Sequence, residues 1–197
     1  MLYGVVVTYL PKSCDHALLA GRCIKVLHGF MSRHSLSNIA VSFPKWSQIS
    51  VGNQLMFVSP IVDQLNTLIQ QPYYQVMTEN GLFEISDPII LEQSNTCVKY
   101  VRNQSIDKLT PAAKARRLRR AKKRALERGE EFNPIDAQPK EIDFYHSIPM
   151  DSSQSGRAYM LKVQRYDVVQ SQANDSCFEV CSYGLSTNSQ HQALLPI

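Results

Sequence analysis

One stretch of this chain has every mark of a helix and too little apolar surface for a core. Thr110-Pro111 supplies an N-cap and a first-turn proline, residues 112–128 are almost all strong helix formers, and Gly129 closes the run. Its apolar side is thin (Ala115, Leu118, Ala125), and charge covers most of the remaining circumference. Like charges at i and i+4, such as Arg116 and Arg120, repel unless phosphates lie between them. A merely solvated helix would intersperse glutamates, and only Glu127 does so. From Lys99 to Arg128 twelve basic residues face two acidic ones, a local charge of +10. Outside that segment nine basic and fifteen acidic residues give −6, within an overall +4. One element is therefore built to meet a polyanion.

The core has to come from the rest of the chain, and 197 residues at 44% hydrophobic content are enough for one. Residues 2–10, rich in Val and Tyr and stopped by Pro11, read as a strand. Across residues 15–34 the apolar Ala17, Ala20, Ile24, Leu27 and Met31 recur at the spacing of one helix face. Strands follow at 38–43, ended by Pro44, and at 54–59, after the turn signal Val51-Gly-Asn. Residues 60–71 read as a helix, and short strands are expected near 73–77 and 83–85. Strand, helix, strand, strand, helix, strand is the order of a ferredoxin-like (RRM-like) domain, so the expected class is α+β.

The expected division is a ferredoxin-like domain over residues 1–95 and an RNA-binding region over 96–197 with the basic helix and a small irregular β region. Residues 130–155 are polar and proline-punctuated, expected as loops and short strands, while 158–166 and 177–183 alternate like strands that could pair with each other. No apolar stretch is long enough to span a membrane, and the N-terminus reads as a strand rather than a signal peptide, so the expected location is the cytoplasm. The five cysteines (Cys14, Cys23, Cys97, Cys177, Cys181) contain no C-x-x-C pair and suggest packed free thiols rather than disulfides or zinc.

Cutting RNA without a metal requires a base for the 2′-hydroxyl proton, in-line placement of the adjacent phosphate and protonation of the departing 5′-oxygen, and histidine suits the first task near neutral pH. His28 lies on the early helix beside the apolar stripe, between Ile24 and Met31. Spacing alone does not choose it over His16, His34, His146 or His191.

The stretch Val26-Leu-His28-Gly-Phe followed by Asn38-Ile-Ala-Val-Ser-Phe-Pro44 resembles the start of the type I-F CRISPR repeat endoribonucleases, the Cas-six family branch also called Csy-four. The resemblance continues through Arg102-Asn-Gln104, the arginine-rich helix, a Ser-Gln-Ser loop and a C-terminal Tyr-Gly-Leu-Ser, covering nearly the whole chain in order. It implies that His28 takes the 2′-hydroxyl proton. It also implies that Ser153, within Ser152-Ser-Gln-Ser155, orients that hydroxyl, with Ser155 or Ser152 as alternatives, and that Tyr183 holds the histidine. Arg102 and Gln104 are implied to read a guanine and an adenine at the hairpin base, chemistry that suits a guanidinium and an amide. Arg117 and Arg120, with Arg116, Arg119, Lys123 and Arg124 around them, are implied to grip the hairpin's groove and phosphates, although Ala121 departs from the arginine expected there.

The implied reaction cuts on the 3′ side of a CRISPR repeat stem-loop to leave a 2′,3′-cyclic phosphate, with no metal and no cofactor. Gln104-Ser-Ile-Asp-Lys-Leu-Thr-Pro, Lys123-Arg-Ala-Leu-Glu-Arg-Gly-Glu-Glu-Phe and Tyr145-His-Ser look closer to the enzymes of Tn7-like transposons. That likeness implies an enzyme that stays on the guide RNA's 3′ hairpin inside a surveillance (Cascade) complex, near the target-selection protein TniQ. The competing readings are a non-catalytic hairpin-binding subunit and a basic-helix DNA-binding accessory protein.

Overall fold

The computed structural model describes residues 1–134, 142–152, 156–169, 178–187 and 191–196. Strand β1 (Leu2–Tyr9) leads into helix α1 (His16–His34), capped at its start by the Asp15 carboxylate, which accepts from the Leu18 amide. Strands β2 (Ala40–Ser42) and β3 (Gln54–Ser59), helices α2 (Val62–Ile69) and α3 (Pro72–Glu79), and strand β4 (Phe83–Ile85) follow. The antiparallel sheet order β2-β3-β1-β4 is the ferredoxin-like arrangement expected from the sequence. A short strand β5 (Ile89–Leu91) prolongs its edge by pairing with the first half of β1.

Period-two burial builds the core. Val5 faces Phe57 and Val7 faces Leu55 across the β1–β3 ladder, and all four are fully buried. Onto such apolar positions α1 lays Ala20, Ile24, Leu27 and Met31, each 0% exposed, and each large side chain so buried contributes about 2 kcal/mol.

The strand expected near residues 73–77 is a correction, because those residues lie within α3. Aromatic and β-branched side chains favour a strand there, but Pro72 pre-sets the first turn of a helix. Helical winding sends Tyr74 into the core, where its hydroxyl donates to the Cys23 carbonyl of α1 at 3.1 Å. Burial pushes the Cys23 thiol up to about 12, so this cysteine packs rather than reacts.

The second sheet has the order β7-β8-β6-β9, from strands β6 (Thr96–Arg102), β7 (His146–Asp151), β8 (Ala158–Val169) and β9 (Leu195–Pro196). The proposed pairing of 158–166 with 177–183 is also corrected: β8 pairs with β6 and β7, and residues 178–183 form no strand. Those residues instead stitch the two sheets together. Val180 N–H donates to the Ser37 carbonyl at 2.7 Å, Val41 N–H to Gly184 at 2.7 Å, and Arg102 N–H to Ser186 at 2.8 Å.

Two glycines permit these approaches. A Cβ on Gly21 of α1 would lie 2.1 Å from the Pro149 carbonyl oxygen, so only glycine lets β7 lie against the helix. Gly184, at φ +71°, would drive a Cβ to 2.7 Å from both Leu27 and Val41.

After β6 a 3-10 turn (Ile106–Leu109) leads to α4 (Pro111–Glu127), whose N-cap Thr110 accepts from Ala113 N–H at 3.2 Å. The apolar side differs from the one expected: Ala113 and Ala125 are buried and Ala121 is half-buried, whereas Ala115 and Leu118 are exposed. Ala121 thus sits on the same side of the helix as Ala113 and Ala125. Among the described residues no helix is long and apolar enough to cross a membrane.

Candidate active site and nucleic-acid interface

Helix α1 and the 178–187 segment meet at His28. Nδ1 of His28 lies 3.2 Å from the Ser182 carbonyl oxygen. A carbonyl can only accept, so in the neutral ring Nδ1 carries the proton and Nε2 the lone pair. The imidazole is half-buried and stacks on Tyr183, with ring centroids 4.5 Å apart and planes inclined by 4°. Gly184, wedged between Leu27 and Val41, fixes the loop that presents both Ser182 and Tyr183. One short motif therefore sets the tautomer of the ring and clamps its plane.

Tyr183 is held in turn. Its hydroxyl lies 3.0 Å from that of Tyr159 on β8. Burial, then the bond to Tyr183, raises the Tyr159 phenol well above its ordinary value, so it stays protonated at any physiological pH. The Arg102 guanidinium also lies over the Tyr183 ring, 4.3 Å from its centroid, a contact of about 1 kcal/mol where water is partly excluded.

Arg102 is the last residue of β6, and Gln104 lies in the turn just after it, close enough to meet the guanidinium. The Gln104 amide, turned with its oxygen toward the guanidinium, accepts from Arg102 Nη2 and from Nε at 3.2 Å. Between them Asn103 is the anchor: its amide donates to the buried Gln164 at 2.7 Å, and its own oxygen accepts from Ser105 N–H at 3.0 Å. The tripeptide therefore projects two recognition-competent side chains from one fixed residue.

The structure brings His28, Tyr183, Arg102 and Gln104 into one continuous cluster. Arg116, Arg117, Arg119, Arg120, Lys123 and Arg124 all lie exposed along α4. Arg117 shares the inward row with Ala113, Ala121 and Ala125, and the others surround it. Among the described residues of α4 only Lys123 has an acidic partner, Glu127 at 3.8 Å, and just beyond the helix Arg128 pairs with Glu130 at 2.7 Å. Among the described residues the array is left largely uncompensated, which suits a ligand carrying closely spaced phosphates.

Ser153 and Ser155 lie outside the described residues, as does Cys177. The residues that flank the serines in the sequence are described, and both sides are tied to the site. Asp151 forms an ion pair with Lys25, one helical turn before His28, and Tyr159 is bonded to Tyr183. The Lys25 ammonium, with Arg22 nearby, holds the Asp151 carboxyl below its usual range. A depressed carboxyl stabilises the fold above its unfolded value and loses that contribution as pH falls through the folded one, so this latch is closed at neutral pH.

Sequence reasoning missed Tyr159, the Lys25–Asp151 pair and the Ser182 carbonyl. A backbone acceptor and a cross-strand hydroxyl leave no residue-type signature; only Gly184, inside the C-terminal motif, was visible beforehand.

The sequence profile of the CRISPR-associated protein (Cas_Csy4) family matches residues 7–196. No curated protein matches the chain. Among solved structures, one described as a chlorite dismutase is similar at 14% identity over 85% of this chain and 79% of that one, with a TM-score of 0.29, too low to carry an argument. With nearly its whole length matched, this chain belongs to the CRISPR-associated Cas_Csy4 family.

Proposed function

We propose that this chain is an endoribonuclease that binds the stem-loop of a CRISPR repeat and cuts on its 3′ side without a metal. Family membership supports the RNA and the reaction class, and the observation that carries the mechanism is the Ser182 carbonyl on His28 Nδ1, which leaves Nε2 as a base. Nε2 takes the proton of the 2′-hydroxyl at the cut nucleotide, and O2′ attacks the adjacent phosphorus. The bond to the 5′-oxygen breaks as that oxygen takes a proton from solvent water, and the imidazolium returns its own proton to solvent. The products are a 2′,3′-cyclic phosphate and a 5′-hydroxyl. Ser153, with Ser155 or Ser152 as alternatives, orients the attacking hydroxyl; Lys25 and Tyr183 restrain Asp151 and Tyr159 on either side of it. Tyr183 keeps the imidazole in plane.

Arg102 donates twice to a guanine and Gln104 pairs with an adenine at the stem's base. The exposed arginines and lysines of α4 supply affinity by neutralising hairpin phosphates. In this reading residues 1–95 carry the general base and residues 96–197 grip the RNA. The protein works in the cytoplasm, and after cutting it stays on the 3′ hairpin within a type I-F Cascade complex. The sub-branch motifs around Gln104, Lys123 and Tyr145 favour a Tn7-like transposon system with TniQ as neighbour.

A cleavage assay on repeat RNA in excess EDTA tests this reading. Undiminished cutting and an upstream product whose terminal phosphate yields to phosphatase only after acid opening of a cyclic phosphate are expected. Tight binding with no cutting would favour a non-catalytic hairpin cap, and equal competition by duplex DNA at physiological salt would favour a DNA-binding accessory protein.

A further inference from the structure

A groove of about 370 Å³ runs along the outer side of α1, lined by Arg22, Lys25, Gly29 and Arg33 on the helix and by Gln71 and Tyr73 opposite. No Asp or Glu lines it. Lys25 is engaged by Asp151, whose carboxylate Arg22 also meets at longer range, but neither Arg22 nor Arg33 forms a close ion pair among the described residues. Eleven residues separate the two arginines, about 16 Å along the helix axis, a span for several phosphates rather than one.

Gly29 is the second observation. A glycine inside a helix costs about 1 kcal/mol relative to alanine, and Gly21 in the same helix is explained by the Pro149 carbonyl against it. A Cβ on Gly29 would meet nothing within 4 Å. Nothing inside the protein requires that residue to be bare, so the open backbone on the groove floor is suited to close approach from outside.

The groove borders the catalytic cluster through Lys25, which lines it one helical turn before His28. Tyr183 stacks on His28, and Arg102 lies over Tyr183. Resting on the functional reading above, a stem whose base is read at Arg102 and whose scissile ribose lies at His28 continues past the cut toward α1. We propose that this groove binds the single-stranded RNA immediately 3′ of the scissile phosphate, with Arg22 and Arg33 on its phosphates, Tyr73 offering a face for base stacking and Gly29 admitting the backbone. The same surface would then hold the uncut precursor and release the downstream product once the chain is broken.

The test compares repeat hairpins ending at the cut nucleotide with hairpins carrying a few more 3′ nucleotides, both made with 2′-deoxyribose at the cut so that neither is consumed. For the wild type the flank is expected to tighten binding about ten-fold, with a steeper salt dependence. The double variant Arg22→Ala/Arg33→Ala is expected to lose that gain while binding the flankless hairpin as well as the wild type does. Equal affinity for both RNAs in the wild type, or a gain that survives the double variant, overturns the groove assignment alone. Failure of the wild type to bind the flankless hairpin overturns the functional reading and the groove with it.

Discussion

Replacing His28 by alanine is expected to slow single-turnover cleavage of the repeat hairpin about 10³-fold while leaving its dissociation constant within about two-fold. A positioned general base is worth about 10² to 10⁴ in rate, and 10³ corresponds to about 4 kcal/mol of transition-state stabilisation. The loss is expected on the chemical step because the proposed reading draws the hairpin's affinity from α4 and from the β6 end, neither of which the imidazole touches directly. Tyr183 loses its stacking partner but keeps Arg102 and the Tyr159 hydroxyl, so the pocket should stay formed. A variant that cuts at the wild-type rate would remove His28 from the chemistry, and a parallel loss of hairpin binding would make its role structural.

The second large effect belongs to α4. Changing Arg116, Arg117, Arg119 and Arg120 together to alanine is expected to weaken hairpin binding about 10²- to 10³-fold at physiological salt. It should also flatten the plot of log affinity against log salt by about three units. The helix itself should survive, because all four side chains are exposed and alanine is the better helix former. Removing like charges at i and i+4 also relieves repulsion. Circular dichroism of the free variant alongside salt-titrated binding separates the two effects: unchanged helicity with a reduced slope is expected. An unchanged slope would mean that the RNA's phosphates lie elsewhere.

Much of this was legible because the first domain obeys simple periods. The 3.6-residue recurrence of Ala20, Ile24, Leu27 and Met31 marked α1, and the proline and glycine punctuation set most strand ends. The helix α3 was illegible because Tyr73, Tyr74 and Val76 prefer strands in isolation, and the buried Tyr74 hydroxyl on the Cys23 carbonyl is a tertiary reward that no local pattern carries. Strand β6 escaped notice for a different reason. Cys97, Val98, Tyr100 and Val101 are all buried, so both faces are covered and the alternation that would betray a half-exposed strand is lost. The same limit applies at the site. The side chains of His28, Arg102 and Tyr183 belong to motifs that can be read in order along the chain, whereas the Ser182 carbonyl, the Tyr159 hydroxyl and the bare floor at Gly29 acquire meaning only once α1 is set against the C-terminal loop.

The central claim is that the nucleophile is the RNA's own 2′-hydroxyl, activated at His28. Its most direct test is a pair of repeat hairpins identical except for ribose or 2′-deoxyribose at the cut nucleotide, followed for binding and for cleavage by the wild-type protein. The account predicts equal affinity for the two and no scission of the deoxy-substituted one; its cleavage at a rate comparable to the all-ribose RNA would contradict the mechanism outright.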